Sequence, residues 1–152
     1  MKKRGFNMLG VAIAIISGML MSVQGVFNEG VTKQTSIWVC ASFVHLTALA
    51  FCVAAWCFGG FNGTFGSLFA VDGKYMLLGG VIGAAITYTV IRGMAALGPA
   101  QAVIIIVISQ IAAAYLIELF GIFGVEKSPF EIKSLIGMAL CISGILVFKW
   151  QR

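Results

Sequence analysis

The chain alternates long apolar runs with short clusters of charge, glycine and proline. A helix that crosses the hydrocarbon core of a bilayer needs about 20 mostly apolar residues. Five windows meet that requirement, at residues 7–28, 36–58, 75–96, 100–120 and 132–150. The runs are continuous rather than alternating, which argues against the strands of a membrane barrel. The pattern therefore predicts an all-α, polytopic membrane protein, with residues 1–152 forming a single five-helix transmembrane domain. Composition agrees, since 61% of the residues are hydrophobic, 10% are charged and mean hydropathy is +1.05. A soluble domain of this size clothes itself in far more charge. The opening MKKRGFNMLGVAIAIISGML has the basic start and apolar run of a secretory signal. It is read as an uncleaved first helix, because no small-x-small cleavage site falls before the next polar cluster.

Within the spans, the polar residues matter most, because hydrocarbon tolerates them poorly. In the first span Gly10, Ala14, Ser17, Gly18, Met21, Gln24, Gly25 and Asn28 recur at steps of three and four, giving the helix one small or polar stripe. Two readings of that stripe stand: the wall of a cavity, or a packing surface with Gln24 and Asn28 as interhelical hydrogen-bonding groups. The second span carries Trp38, Ser42 and His45 on one side, and its histidine is the only one in the chain. A neutral imidazole satisfied within a bundle is the plainer reading of His45; a proton relay needs a partner carboxylate or a wet path. The third span brings the Gly79-x-x-x-Gly83 pair, then Thr87, Tyr88 and Arg92. Arg92 is close enough to the helix end to snorkel to the interface, and otherwise is a candidate charge site for an anionic solute or for Glu118. In the fourth span, which starts cleanly after Leu97-Gly98-Pro99, Gln110 falls near mid-bilayer and Glu118 near the far end. The fifth span holds Ser134, Gly137, Cys141 and Gly144, a narrow seam of small side chains read as a dimer contact, with packing inside one protomer as the alternative.

Other chemistry is thinly represented. Cys40, Cys52, Cys57 and Cys141 all fall within predicted spans without metal-ligand spacing, and read as small packing residues. There is no histidine or cysteine pair for a metal, no nucleophile-elbow serine and no phosphate loop, so neither an enzyme nor a cofactor is expected. Phe61, Phe65 and Phe69, spaced by four in the connection between the second and third spans, suggest either a short amphipathic turn at headgroup level or an irregular loop anchored by aromatics. The formal net charge of +5 comes from ends and loops and suits anionic headgroups rather than nucleic acid.

Charge also bears on orientation. With five spans, Lys2, Lys3, Arg4, Lys74, Lys127 and Lys133 share one side of the membrane, while Lys33, Arg92, Lys149 and Arg152 share the other. The excess of Lys and Arg normally fixes which side is cytoplasmic, and six against four fixes it weakly. Two arrangements remain open: all copies parallel with the N-terminus inside, or copies inserted both ways up that pair around a two-fold axis in the membrane plane.

The stretch AALGPAQAVIIIVISQIAAAYLIELFGIFG resembles the second-half signature of the YdcZ-like family of the drug/metabolite transporter superfamily. Ser109-Gln110 stands where that family usually has Gly-Gln, and Glu118-Leu119 stands in place of Asp-His. Gln24, Asn28 and the glycines of Gly79-Gly80-Val81-Ile82-Gly83 match as well, so the similarity covers nearly the whole chain. The resemblance implies a five-helix half-size unit in the bacterial plasma (inner) membrane. It would work as an antiparallel, dual-topology dimer of ten helices, either with itself or with an oppositely oriented sister chain. The implied activity is alternating-access transport or export of a small-molecule solute, with Gln24, Asn28, Trp38, His45, Tyr88 and Gln110 facing a shared cavity. The seam around Gly137 and Gly144 is similar to the dimer contact of the four-helix small multidrug resistance branch. That branch places a proton-exchanging glutamate in its first helix, whereas here Gln24 lies in the span and Glu29 is expected beyond its end. A passive ion channel and a structural or accessory membrane subunit are the competing readings.

Overall fold

A computed structural model describes residues 8–149. Asn7, Trp150, Arg152 and the basic cluster Lys2, Lys3 and Arg4 lie outside the described residues. Five α-helices follow one another: α1 (Met8–Gln34), α2 (Ile37–Phe58), α3 (Gly79–Leu97), α4 (Pro99–Phe120) and α5 (Ile132–Lys149). Short 3-10 turns occupy Phe65–Ala70, Lys74–Leu78 and Ile122–Gly124, and there is no strand among the described residues. Helices Met8–Gln34, Ile37–Phe58, Lys74–Leu97 (counting the 3-10 turn) and Pro99–Phe120 are long and apolar enough to cross a membrane, and α5 adds a shorter apolar stretch, Ile132–Ile145.

The chain divides into two compact units, one ending at Ala96 and the other beginning at Leu97. In the first, α1 and α2 pack against each other and α3 packs on both, through a small interior of Cys40, Ala41, Ile91 and Met94. Gly25 lets the Met94 thioether lie against the α1 backbone, since a Cβ at that position would overlap Met94 Cε and Sδ. The long apolar side chains of these helices otherwise point outward, as they must where the solvent is lipid. In the second unit, α4 and α5 pack against each other. Gly98, at φ 79°, turns the chain into Pro99, whose missing N–H costs nothing in the first helical turn. Gly121, at φ 65°, closes α4 in the left-handed conformation, and the Ser128 N–H donates to the Glu118 carbonyl at 2.9 Å to fold the connection back.

The expected end of the first helix is corrected. Apolar character stops near Asn28, yet α1 continues to Gln34 and Glu29 lies inside it. Glu29 and Lys33 pair at 2.8 Å across one turn, with the acid N-terminal to the base, the favourable order on a helix. Lys33 also sits in the last turn, where a cation complements the helix dipole. The helix stops where the Thr35 hydroxyl turns back to the Val31 carbonyl at 2.9 Å and Ser36 becomes the N-cap of α2, its side chain accepting from the Val39 N–H at 3.3 Å. The third helix also begins later than its apolar window, because Lys74–Leu78 is wound as a 3-10 turn before α3 starts at Gly79.

Candidate functional site in the first helical unit

Two contacts between α2 and α3 define a polar and aromatic wall in the first unit, and a third ties α1 to the other side of α2. Between α1 and α2, the Cys40 thiol donates to the backbone carbonyl of Asn28 at 3.4 Å, and Asn28 is only 7% exposed. Between α2 and α3, the rings of Trp38 and Tyr88 stack with centroids 5.0 Å apart and planes inclined by 21°. Further along the same pair of helices, His45 Nε2 lies 3.3 Å from the Thr87 hydroxyl, and Gly83 leaves room for the imidazole, whose Cε1 would sit 3.7 Å from a Cβ at that position.

Helix geometry orders these contacts. Seven residues at a rise of 1.5 Å put His45 about 10 Å further along α2 than Trp38 and on almost the same face. Tyr88 and Thr87 answer them from the antiparallel α3. Trp38 belongs to the first turn of α2 and remains largely exposed, while Tyr88 and His45 are half-buried. The wall therefore grades from an open aromatic pair near the α1–α2 turn to a half-buried imidazole–hydroxyl pair. It carries hydrogen-bonding groups and π faces but no carboxylate; the one acid near it, Glu29, is paired with Lys33.

The remaining residues singled out in the sequence fall elsewhere. Gln24 is exposed on α1, next to the buried Gly25. Gln110 is exposed on α4 in the second unit, where its neighbour Ser109 bonds back to the Ile105 carbonyl at 2.9 Å. Arg92 and Glu118 are exposed. Ser134 and Cys141 are exposed on α5, and a Cβ at Gly137 or Gly144 would meet nothing within 4 Å among the described residues, so this seam is open within its unit. Gly79 likewise faces open space, whereas its partner Gly83 faces His45.

Sequence reasoning missed Cys40 as a polar contact and gave Thr87 no partner. It also missed Thr32, whose Oγ1 is buried with no hydrogen-bond partner among the described residues. Thr32 follows Asn28 by four, as Asn28 follows Gln24, so the same spacing signal extends past the point where apolar character fades. The Tyr115 hydroxyl on α4 is likewise buried and unpaired among the described residues. No group of three or more His, Cys, Asp or Glu side chains among the described residues is arranged to hold a metal ion.

A chain whose described residues are mostly helical, with four helices long and apolar enough to cross a bilayer, is a multi-pass membrane protein. Residues 9–147 match the family described as "Putative inner membrane exporter, YdcZ". The chain belongs to that family and is a multi-pass protein of the bacterial inner membrane. No curated protein and no solved structure matches it.

Proposed function

We propose that the chain exports a small, uncharged polar solute with a planar or aromatic part. The five helices act as one transmembrane domain, and two copies, or one copy and a sister chain, insert in opposite orientations and alternate access around a shared central cavity. The observation that carries this reading is the wall of Trp38–Tyr88 and His45–Thr87: π faces for stacking and neutral groups for hydrogen bonding, without an acid to attract a cation. Membership of an inner-membrane exporter family supports the direction of transport and favours transport over catalysis. The open α5 seam of Ser134, Gly137, Cys141 and Gly144 supports a helix contact with a partner, since small residues let membrane helices approach closely. Gln24 and Gln110, exposed on the protomer, would complete the cavity lining in the assembly. Arg92 and Glu118 serve as interfacial charges rather than as solute ligands.

Flux across proteoliposomes tests this reading, with a panel of neutral polar aromatic solutes compared against tetraphenylphosphonium. The expected result is flux of at least one neutral solute, reduced about tenfold by Trp38→Ala, a change equivalent to about 1.4 kcal/mol of lost interaction, with little movement of the cation. Cation flux that survives Trp38→Ala would exclude this wall as the binding surface. Neutral flux untouched by Gln110→Leu would remove Gln110 from the cavity. Turnover at ion-channel rates would replace alternating access with a passive pore.

A further inference from the structure

We propose that the loop at residues 59–73, between α2 and α3, is a preformed lipid seat. Its exposed phenylalanines enter the headgroup–acyl boundary, and an adjoining shallow, mostly apolar cavity with a few neutral polar groups receives the glycerol-ester region of a phospholipid.

The loop is folded against the end of α2. The Phe61 N–H donates to the Trp56 carbonyl at 3.0 Å and the Gly60 N–H to the Cys57 carbonyl at 3.3 Å, with Gly60 at φ 80°. This is the Schellman arrangement, in which a left-handed residue just past the helix lets two N–H groups turn back to the last carbonyls. The motif is commonly accompanied by an apolar contact between its first and last residues, and here Phe61 meets Trp56 edge-on with centroids 4.8 Å apart. Phe65 adds a second edge-on contact to the same indole at 5.1 Å. The indole N–H is in turn taken up by the Asn62 carbonyl at 3.1 Å. Phe61 itself adopts φ 57°, a conformation that a bulky residue holds only where surrounding contacts impose it.

Beside this aromatic knot lies a cavity of about 260 Å³ lined by Trp56, Asn62, Thr64, Phe65 and Ser67 among others. Its polar groups are neutral. Residues 59–71 contain no charged side chain; the first charges are Asp72 and Lys74, where the chain turns toward α3. Yet Phe58 is 93% exposed and Phe69 86%, with Phe61 and Phe65 also outward. A loop destined for water would not combine three exposed phenylalanines, next to a fourth at the end of α2, with thirteen uncharged residues. The surface is continuous with α2, whose outward apolar face already belongs to the bilayer, so lipid is the occupant that requires no separate partner. Aromatic rings and neutral hydrogen-bonding groups together suit the boundary between headgroup and acyl chain, where interfacial elements settle.

The test uses the full chain in phosphatidylcholine vesicles. A nitroxide is attached to Phe69→Cys after replacement of Cys40, Cys52, Cys57 and Cys141 by alanine, and its relaxation is measured with oxygen and with a water-soluble nickel chelate. Greater accessibility to oxygen than to nickel is expected. The reverse order would place the loop in water, and exclusion of both probes would mean that protein, such as a second copy, covers it; either result overturns the proposal. A second measurement avoids the cysteine substitutions: with Trp38→Phe and Trp150→Phe, the remaining Trp56 fluorescence is followed in vesicles of lipids brominated at graded depths. An interfacial element buries its apolar face by about 5–10 Å, so bromines near the top of the acyl chain should quench most. Strongest quenching from the chain ends, or none at any depth, overturns the seat.

Discussion

Single side chains in the first unit carry more than their size suggests, because its buried interior is so small. Gly25 is the sharpest case. Any side chain there meets the thioether end of Met94, which is itself almost completely buried. Gly25→Val should therefore destabilise the protein by about 1–3 kcal/mol through overpacking, read as a lower unfolding midpoint in detergent. Gly25→Ala should cost less, since the flexible Met94 terminus can give way. The His45–Thr87 contact makes a second prediction at this scale. His45→Leu leaves a half-buried hydroxyl without its partner, at a cost of about 1–3 kcal/mol. Adding Thr87→Val removes the stranded group and should recover part of that loss. A double variant no more stable than His45→Leu alone would mean that the imidazole contributes by packing rather than by the hydrogen bond.

At the scale of elements, local signals decide where helices turn more sharply than hydropathy does. Gly60 holds the left-handed position that closes α2, so Gly60→Ala should cost about 1–2 kcal/mol, the usual penalty for a Cβ in that conformation. It should also loosen the aromatic knot, seen as a change in Trp56 fluorescence. The helices were legible in the sequence because the apolar windows are continuous and the breaks between them are rich in glycine, proline and charge. The extension of α1 was not, since residues 29–34 are mostly polar and give no hydropathy signal, although the Glu29–Lys33 pair supports the helix there. The polar faces were legible as faces: Trp38 and His45 share one side of α2 by spacing alone. Spacing within one helix does not say which neighbour that side meets, so the pairing with Tyr88 and Thr87 emerged only from packing. The fold of the 59–73 loop was hidden for a different reason: it depends on a phenylalanine at positive φ, a conformation sequence preference argues against.

At the scale of the whole molecule, the open surfaces suggest what an assembly must use. The α5 seam leaves Gly137 and Gly144 facing nothing within its unit, and glycine in a membrane helix otherwise weakens it relative to alanine. Close approach of a partner helix would return that loss through dispersion contacts, which drive association where lipid removes the hydrophobic incentive. Gly137→Leu and Gly144→Leu together should therefore shift the protein from dimer to monomer in mild detergent while leaving its helical content unchanged; a dimer that survives both would move the contact away from α5. Orientation requires its own measurement, because a parallel and an antiparallel pair could both use such a seam. In an antiparallel pair, a C-terminal tag labelled in intact cells should be reached from outside on roughly half of the copies, or on all or none of them if the opposite orientation is supplied by a sister chain. In the second case, co-expression with that sister should be needed for flux. Outside labelling of all or of none of the copies, together with full flux from the purified chain alone, would leave the antiparallel arrangement without support.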